Sequence, residues 1–115
     1  MNIYYVFVLA SRNHRHLSVR ATADLKFGVR HHRRAIYRKL GRKKVYQKLV
    51  YLETFDSLAA AVGRERELNG WPDPQLRRLI FRRNRSWKPL SISAYLARPR
   101  KSVKTKEVTR HGWAT

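Results

Sequence analysis

The sequence predicts a small α+β domain with a mostly antiparallel, three-stranded sheet flanked by helices, in the order β-β-α-β-α-α, followed by a basic C-terminal extension. Three observations predict it. β-branched and aromatic runs at 3–10, 17–21 and 49–55 read as strands. Apolar residues recur at helical spacing between residues 25 and 36 and again between 76 and 80. A chain of 115 residues, 43% hydrophobic, suits one domain that buries its own core without a staple.

The elements follow in order. Ile3 to Ala10 (IYYVFVLA) is a buried strand, and the polar SRNHRH stretch that follows is a turn. Leu17 to Ala21 returns as the second arm of a hairpin. Thr22 or Asp24 can cap the next helix. Its apolar face carries Leu25, Val29, His32 and Ile36, at spacings of four, three and four. Gly28 inside it should weaken the helix by roughly 1 kcal/mol relative to Ala. Gly41 to Lys44 reads as a basic loop, and Leu49 to Phe55 as the third strand.

Asp56 and Ser57 offer caps for a helix from Leu58 to Asn69. Gly70 stands where a glycine ends a helix, with Trp71 placed to fold back. Asp73 and Pro74 read as cap and first-turn proline of a third helix, with an apolar stripe of Leu76, Leu79 and Ile80. Residues 1–90 form the expected domain. Residues 91–115 lose apolar periodicity and collect Arg98, Arg100, Lys101, Lys104, Lys106 and Arg110, so they read as a basic tail that orders on a partner.

Charge narrows the function. There are 27 Lys and Arg against 7 Asp and Glu, a formal net charge of +20. Self-repulsion at that charge opposes compaction unless a polyanion screens it. Nucleic acid is the expected partner, because neutralising phosphates releases counterions. No apolar run approaches the ~20 residues of a membrane span, and no signal peptide is recognisable, so no membrane partner is expected. There is no cysteine, which excludes disulfides, thiolate metal sites and a cysteine nucleophile. His14 and His16 lie in a turn with Arg12 and Arg15 and show no zinc-ligand spacing.

The cations concentrate. Lys26, Arg30, Arg33, Arg34, Arg38, Lys39, Arg42, Lys43, Lys44 and Lys48 follow Asp24 with no acid between them. Like charges three and four residues apart destabilise a bare helix, so a binding surface explains them better than a solvated face. Arg77, Arg78, Arg82, Arg83 and Arg85 form a second group. Arginine dominates both, and its planar fork suits bidentate phosphate contacts. Arg20 and the tail cations Arg98, Arg100, Lys101, Lys104 and Lys106 join the expected interface. Tyr37 and Tyr46 interleave with the cations and either stack on bases or pack on the sheet. Trp71 and Trp87 read as core, and Trp113 as a docking anchor on RNA or a protein neighbour.

Particular residues carry a family resemblance. They are Tyr5-Val6-Phe7-Val8-Leu9, Asp24-Leu25, His32, Lys48 to Tyr51 with Glu53 and Phe55, Arg64-Glu65, Asn69-Gly70-Trp71, and Asn84 with Trp87. In this order and spacing the chain resembles the GIY-YIG nuclease superfamily, especially its small single-domain bacterial members, over residues 2 to 90. The resemblance implies metal-assisted phosphodiester hydrolysis. One glutamate holds a divalent cation, a tyrosine helps activate the nucleophile, and a helix arginine supports phosphate charge.

Carried over by position, most of that chemistry is missing. The first-motif tyrosine falls on Phe7, which has no hydroxyl. The Tyr-Ile-Gly motif falls on Ser18-Val19-Arg20, and the arginine on Gly28. Only Glu65 matches, with His32 as a supporting position. Tyr5 shares the sheet face of Phe7 but is displaced from it, and Arg30 points elsewhere on its helix than residue 28. No catalytic residues are therefore expected. Glu65 reads as a surface ion-pair partner first and as a metal ligand second, and His32 as a core or fold-bridging histidine. No cofactor is expected, unless Mg2+ or Mn2+ binds at Glu65 in an active enzyme.

The expected function is a non-catalytic RNA-binding subunit of a large ribonucleoprotein such as a ribosome, organellar ones included. The near absence of acids suits a permanent polyanion partner. The alternatives are a metal-dependent endonuclease that retains Glu65, and a non-specific DNA-binding nucleoid protein. The expected location is intracellular, at ribosome or nucleoid, in cytoplasm or organelle matrix.

Overall fold

A computed structural model describes residues 2–40 and 47–97. Strand β1 (Tyr4–Ser11) pairs antiparallel with β2 (Leu17–Thr22) through the expected hairpin. The turn is tied by Ser11 N–H donating to the His16 carbonyl (2.9 Å) and by the Asn13 side-chain oxygen, which accepts from Arg15 N–H (3.0 Å). His14 takes a left-handed backbone there, at φ 62°. Strand β3 (Gln47–Phe55) pairs antiparallel on the other side of β1, so the order is β2-β1-β3.

A central strand is covered on both faces, which explains why β1 is apolar from Tyr4 through Ala10 rather than at alternate positions. Its Val6, Val8 and Ala10 enter one core cluster with Val19, Ala61, Leu68, Leu76, Leu79 and Ile80. Its Tyr5, Phe7 and Leu9 enter a second cluster on the opposite face with Leu25, Val29, Leu49 and Leu52. A bulge interrupts the β1–β3 ladder. Val8 faces Tyr51 but Leu9 faces Leu49, so Val50 is the extra residue, and Val50 and Tyr51 both enter the first cluster.

Helix α1 (Leu25–Leu40) lies on the second face. Asp24 caps it by accepting from Phe27 N–H (3.0 Å), and the Thr22 hydroxyl braces Asp24 from below. Leu25 and Val29 are buried, with His32 and Ile36 partly covered. Gly28 needs a different account from a weak spot in the helix. A Cβ there would lie 2.4 Å from Thr22 Oγ1 and 2.6 Å from Thr22 Cβ. The glycine lets α1 approach the end of β2.

Helix α2 (Leu58–Asn69) starts on Ser57, whose hydroxyl accepts from Ala60 N–H (3.1 Å). It ends on Gly70, but in a right-handed conformation at φ −92°, so the freedom of glycine is not what stops it. Trp71 folds back onto the first cluster. Helix α3 (Asp73–Arg83) covers the same face with Leu76, Leu79 and Ile80. Its N-cap is Pro72 rather than Asp73. Asp73 is the first helical residue, and its carboxylate is drawn to Arg77 one turn on.

The chain then crosses from one face to the other. The Asn84 amide donates to the Val50 carbonyl (3.0 Å), and Leu90 N–H donates to the Leu49 carbonyl (2.8 Å). A short helix α4 (Ile92–Leu96) follows, with Ile92, Tyr95 and Leu96 packed on the second cluster and Tyr95 edge-on to Tyr5. The stretch read as a tail from residue 91 therefore begins as packed structure. The remaining tail positions 98–115, and Arg42, Lys43, Lys44 and Tyr46, lie outside the described residues.

Candidate nucleic-acid interface

The two basic groups occupy opposite sides of the sheet. Helix α1 packs on the second face, and Lys26, Arg30, Arg34, Arg38 and Lys39 are exposed on it, with Arg33 partly covered. Among the described residues Arg30, Arg34 and Arg38 form no ion pair. Helix α3 packs on the first face and exposes Arg78, Arg82 and Arg83, with Arg85 just beyond. Arg85 lies over the Phe81 ring at 5.4 Å. Arg77 is committed inward: it contacts Asp73, donates to the Arg15 carbonyl (3.3 Å) and lies over Trp87 (5.7 Å). It ties α3 to the hairpin turn.

Of the positions the resemblance singles out, Phe7, Ser18 and His32 meet one another. Phe7 is fully buried and meets the His32 ring edge-on at 6.2 Å. The Ser18 hydroxyl is hydrogen-bonded to His32 Nε2. Phe7, Ser18 and His32 thus form one packed unit between β1, β2 and α1. Burial, then Arg20 and His31, push the His32 pKa down to about 4, so the ring is neutral at physiological pH. Its contacts with Ser18 and Phe7 tie α1 to β2 and β1.

Glu65, on α2, is linked to this unit through Arg20, which is also close enough to His32 to lower its pKa. Its carboxylate lies 3.9 Å from the Arg20 guanidinium, an ion pair too long for a hydrogen bond. A metal at Glu65 would sit beside that cation. Among the described residues no three His, Asp or Glu side chains gather to hold a metal ion.

The sequence reading missed a buried polar network. Arg64 and Glu53 are 3% exposed each and meet through paired contacts of 3.0 and 3.1 Å. Tyr51 donates to Glu53 Oε2 (2.7 Å), Glu67 reaches Arg64 Nη1 (3.0 Å), and Arg64 lies over the Trp71 ring (5.3 Å). Burial alone would lower the Arg64 pKa. The bonds and charges of Glu53 and then Glu67 more than offset that, and the pKa is raised. Burial, with the Glu53 charge and hydrogen bond, pushes the Tyr51 phenol well up. A signal was present: Ala61, Arg64 and Leu68 share one helical stripe, which places an arginine at a core position.

A second feature at the turn is aromatic. The His14 ring lies on Trp87 at 4.8 Å, and both residues adopt positive φ. Burial, then Lys48 and Arg77, lower the His14 pKa. Trp71 and Trp87 pack against the first cluster, as a core role requires. Tyr37 is exposed on α1.

Comparison with family models, curated proteins and solved structures finds no match. Among the described residues no helix is long and apolar enough to cross a membrane.

Proposed function

We propose that this chain is a non-catalytic RNA-binding protein on a GIY-YIG-like fold, a structural subunit of a large ribonucleoprotein such as a ribosome. The observation that carries the reading is the placement of arginine-rich helices α1 and α3 on opposite faces of the sheet. A straight duplex docked on one helix leaves the other facing solvent. A crevice in a large folded RNA engages both at once, and neutralises charge on both sides.

The lack of catalysis is supported by what the corresponding positions do. Phe7 fills the core, the Ser18 hydroxyl is taken by His32, and Gly28 is spent on a close approach to Thr22. Each has a structural task in place of a chemical one.

The test is ultraviolet crosslinking in native extract, followed by sequencing of the attached nucleic acid. Crosslinks concentrated at one RNA position are expected. Crosslinks scattered over DNA would replace this reading with a nucleoid protein. Magnesium-dependent nicking that disappears in Glu65→Ala would replace it with an endonuclease.

A further inference from the structure

The outward stripe of α1 is not uniformly charged. Phe27 is 60% exposed, the most exposed large hydrophobic residue among those described. Its ring stacks on His31, one turn along, with centroids 5.6 Å apart and planes 14° from parallel. Phe27, His31, Arg34 and Arg38 follow at spacings of four, three and four, on the side of α1 opposite Leu25, Val29 and His32. Helix rise gives this stripe a length of about 16 Å. An exposed aromatic pair at one end and two exposed arginines at the other make a bipartite surface.

We propose that this stripe binds an unpaired nucleobase on the open face of Phe27, with the adjoining backbone phosphates on Arg34 and Arg38. The inference rests on the RNA-binding reading, which supplies an RNA loop as the source of the base. Stacking accounts for the exposed ring, since every base offers a π-face and a flat aromatic pair is its complement. The polarity of the stripe fixes the direction. Asp24 caps the helix directly beneath Phe27, and its carboxylate repels a phosphate there. Arg34 and Arg38 lie toward the other end with no acid anywhere on α1. The base therefore sits at the N-terminal end and the phosphates toward the C-terminal end. An anionic membrane is the rival occupant of an apolar residue among cations. The ordered ring-on-ring geometry of Phe27 and His31 favours a planar ligand over lipid chains.

The experiment uses the full chain and a hairpin RNA whose loop carries a fluorescent adenine analogue. A blunt RNA duplex of the same length, the matching DNA hairpin and phosphatidylserine vesicles are the comparisons. Wild type should quench the loop fluorophore. Phe27→Ala and Phe27→Leu should each lose about tenfold or more in loop affinity, together with the quenching, while duplex affinity changes by less than about twofold. Phe27→Tyr should keep both. Unchanged loop binding in Phe27→Ala, an equal loss on the duplex, or full function in Phe27→Leu would each overturn the stacking site. Tighter binding of the DNA hairpin would overturn RNA as the source, and preferential partition into the vesicles would overturn a nucleobase as the ligand. Failure of wild type to bind any of the RNAs would sink the RNA-binding reading itself. Wild-type binding indifferent to Phe27 sinks only the stacking site.

Discussion

Replacing Gly28 with alanine sets two effects of opposite sign against each other. In an exposed helix interior the change stabilises by about 1 kcal/mol, because alanine is the better helix former. Here the new methyl would lie 2.4 Å from Thr22 Oγ1, 2.6 Å from Thr22 Cβ and 2.9 Å from Thr22 Cγ2. Rotating the threonine side chain moves the outer two atoms but not Cβ. The hydroxyl is also held by the Asp24 N–H (3.1 Å) and carbonyl (3.0 Å). The backbones must therefore part by about 1 Å to restore ordinary contact. That loosens Leu25 and Val29, which are buried on the same helix.

Overpacking of this kind costs about 1–3 kcal/mol, and disturbing the Thr22–Asp24 bonds adds up to about 1 kcal/mol. The cost exceeds the propensity gain, so Gly28→Ala should destabilise by about 1–2 kcal/mol. At about 4–8 °C per kcal/mol for a domain this size, the melting temperature should fall by about 5–15 °C. Thermal unfolding followed by circular dichroism reads it. In a Thr22→Gly background all three opposing atoms are gone, and the same substitution should become stabilising. An unchanged or higher melting temperature in the single variant would refute the close approach. The same geometry bears on catalysis. An arginine at position 28 would meet Thr22 as alanine does, so Gly28→Arg could not place a guanidinium there without the same displacement.

Two further predictions concern the core. Arg64→Met leaves Glu53 buried without its partner and should cost about 3–5 kcal/mol in urea denaturation, whereas Glu67→Ala, at an exposed carboxylate, should cost less than about 1 kcal/mol; similar values for the two would show that the network is not the buried anchor described. The folded-state pKa of His32 is about 4, below its ordinary 6.5, so the unfolded chain binds the extra proton between those values. Stability from His32 is present in full above about pH 6.5 and is lost as pH falls toward 4, by about 2 kcal/mol after allowance for partial solvation; His14, also lowered, adds in the same direction. His32→Asn should flatten that dependence, and a stability profile that rises toward acid pH would contradict it.

The strands and helices were legible because each is short and announces itself locally. IYYVFVLA has no alternation, and only a strand covered on both faces needs none. Ser57 and Asp24 behave as their side-chain chemistry dictates. What stayed hidden depends on which face meets which. The bulge at Val50 is invisible because LVYLETF is apolar on both faces, so one inserted residue leaves the pattern looking unbroken. ISAYL is too short for a helical period, and α4 forms because Ile92 and Tyr95 find the second cluster. Proline at position 72 could take the extended N-cap conformation at once, which left Asp73 inside the helix. The Ala61–Arg64–Leu68 stripe marks Arg64 as inward-facing, but its partner Glu53 lies on another element and could not be read from that spacing. The opposed placement of α1 and α3 could not be read either, since strand alternation sorts residues into two faces without saying which helix covers each. Phe27 falls off the apolar stripe of α1, and a lone aromatic off-stripe gives no sequence signal of its own.

The few acidic residues show where the positive charge is meant to go. Glu53 and Glu67 hold Arg64, Asp73 holds Arg77, and Glu65 lies against Arg20. Asp24 is used on backbone N–H groups at the start of α1. Every one of these carboxylates serves an internal contact, and none faces the outward arginines of α1. Had the surplus charge been scattered for solubility, acids and bases would interleave along the exposed helix faces, because opposite charges at three- and four-residue spacing stabilise a helix and like charges do not. Helix α1 instead carries six cations and no acid. Its stability rests on the buried stripe of Leu25 and Val29, on the Asp24 cap, and on Arg38 and Lys39 placed favourably at its C-terminal dipole. The fold thus supports a charge pattern that the isolated helix would not, and phosphates lying against it would offset the cost of that pattern.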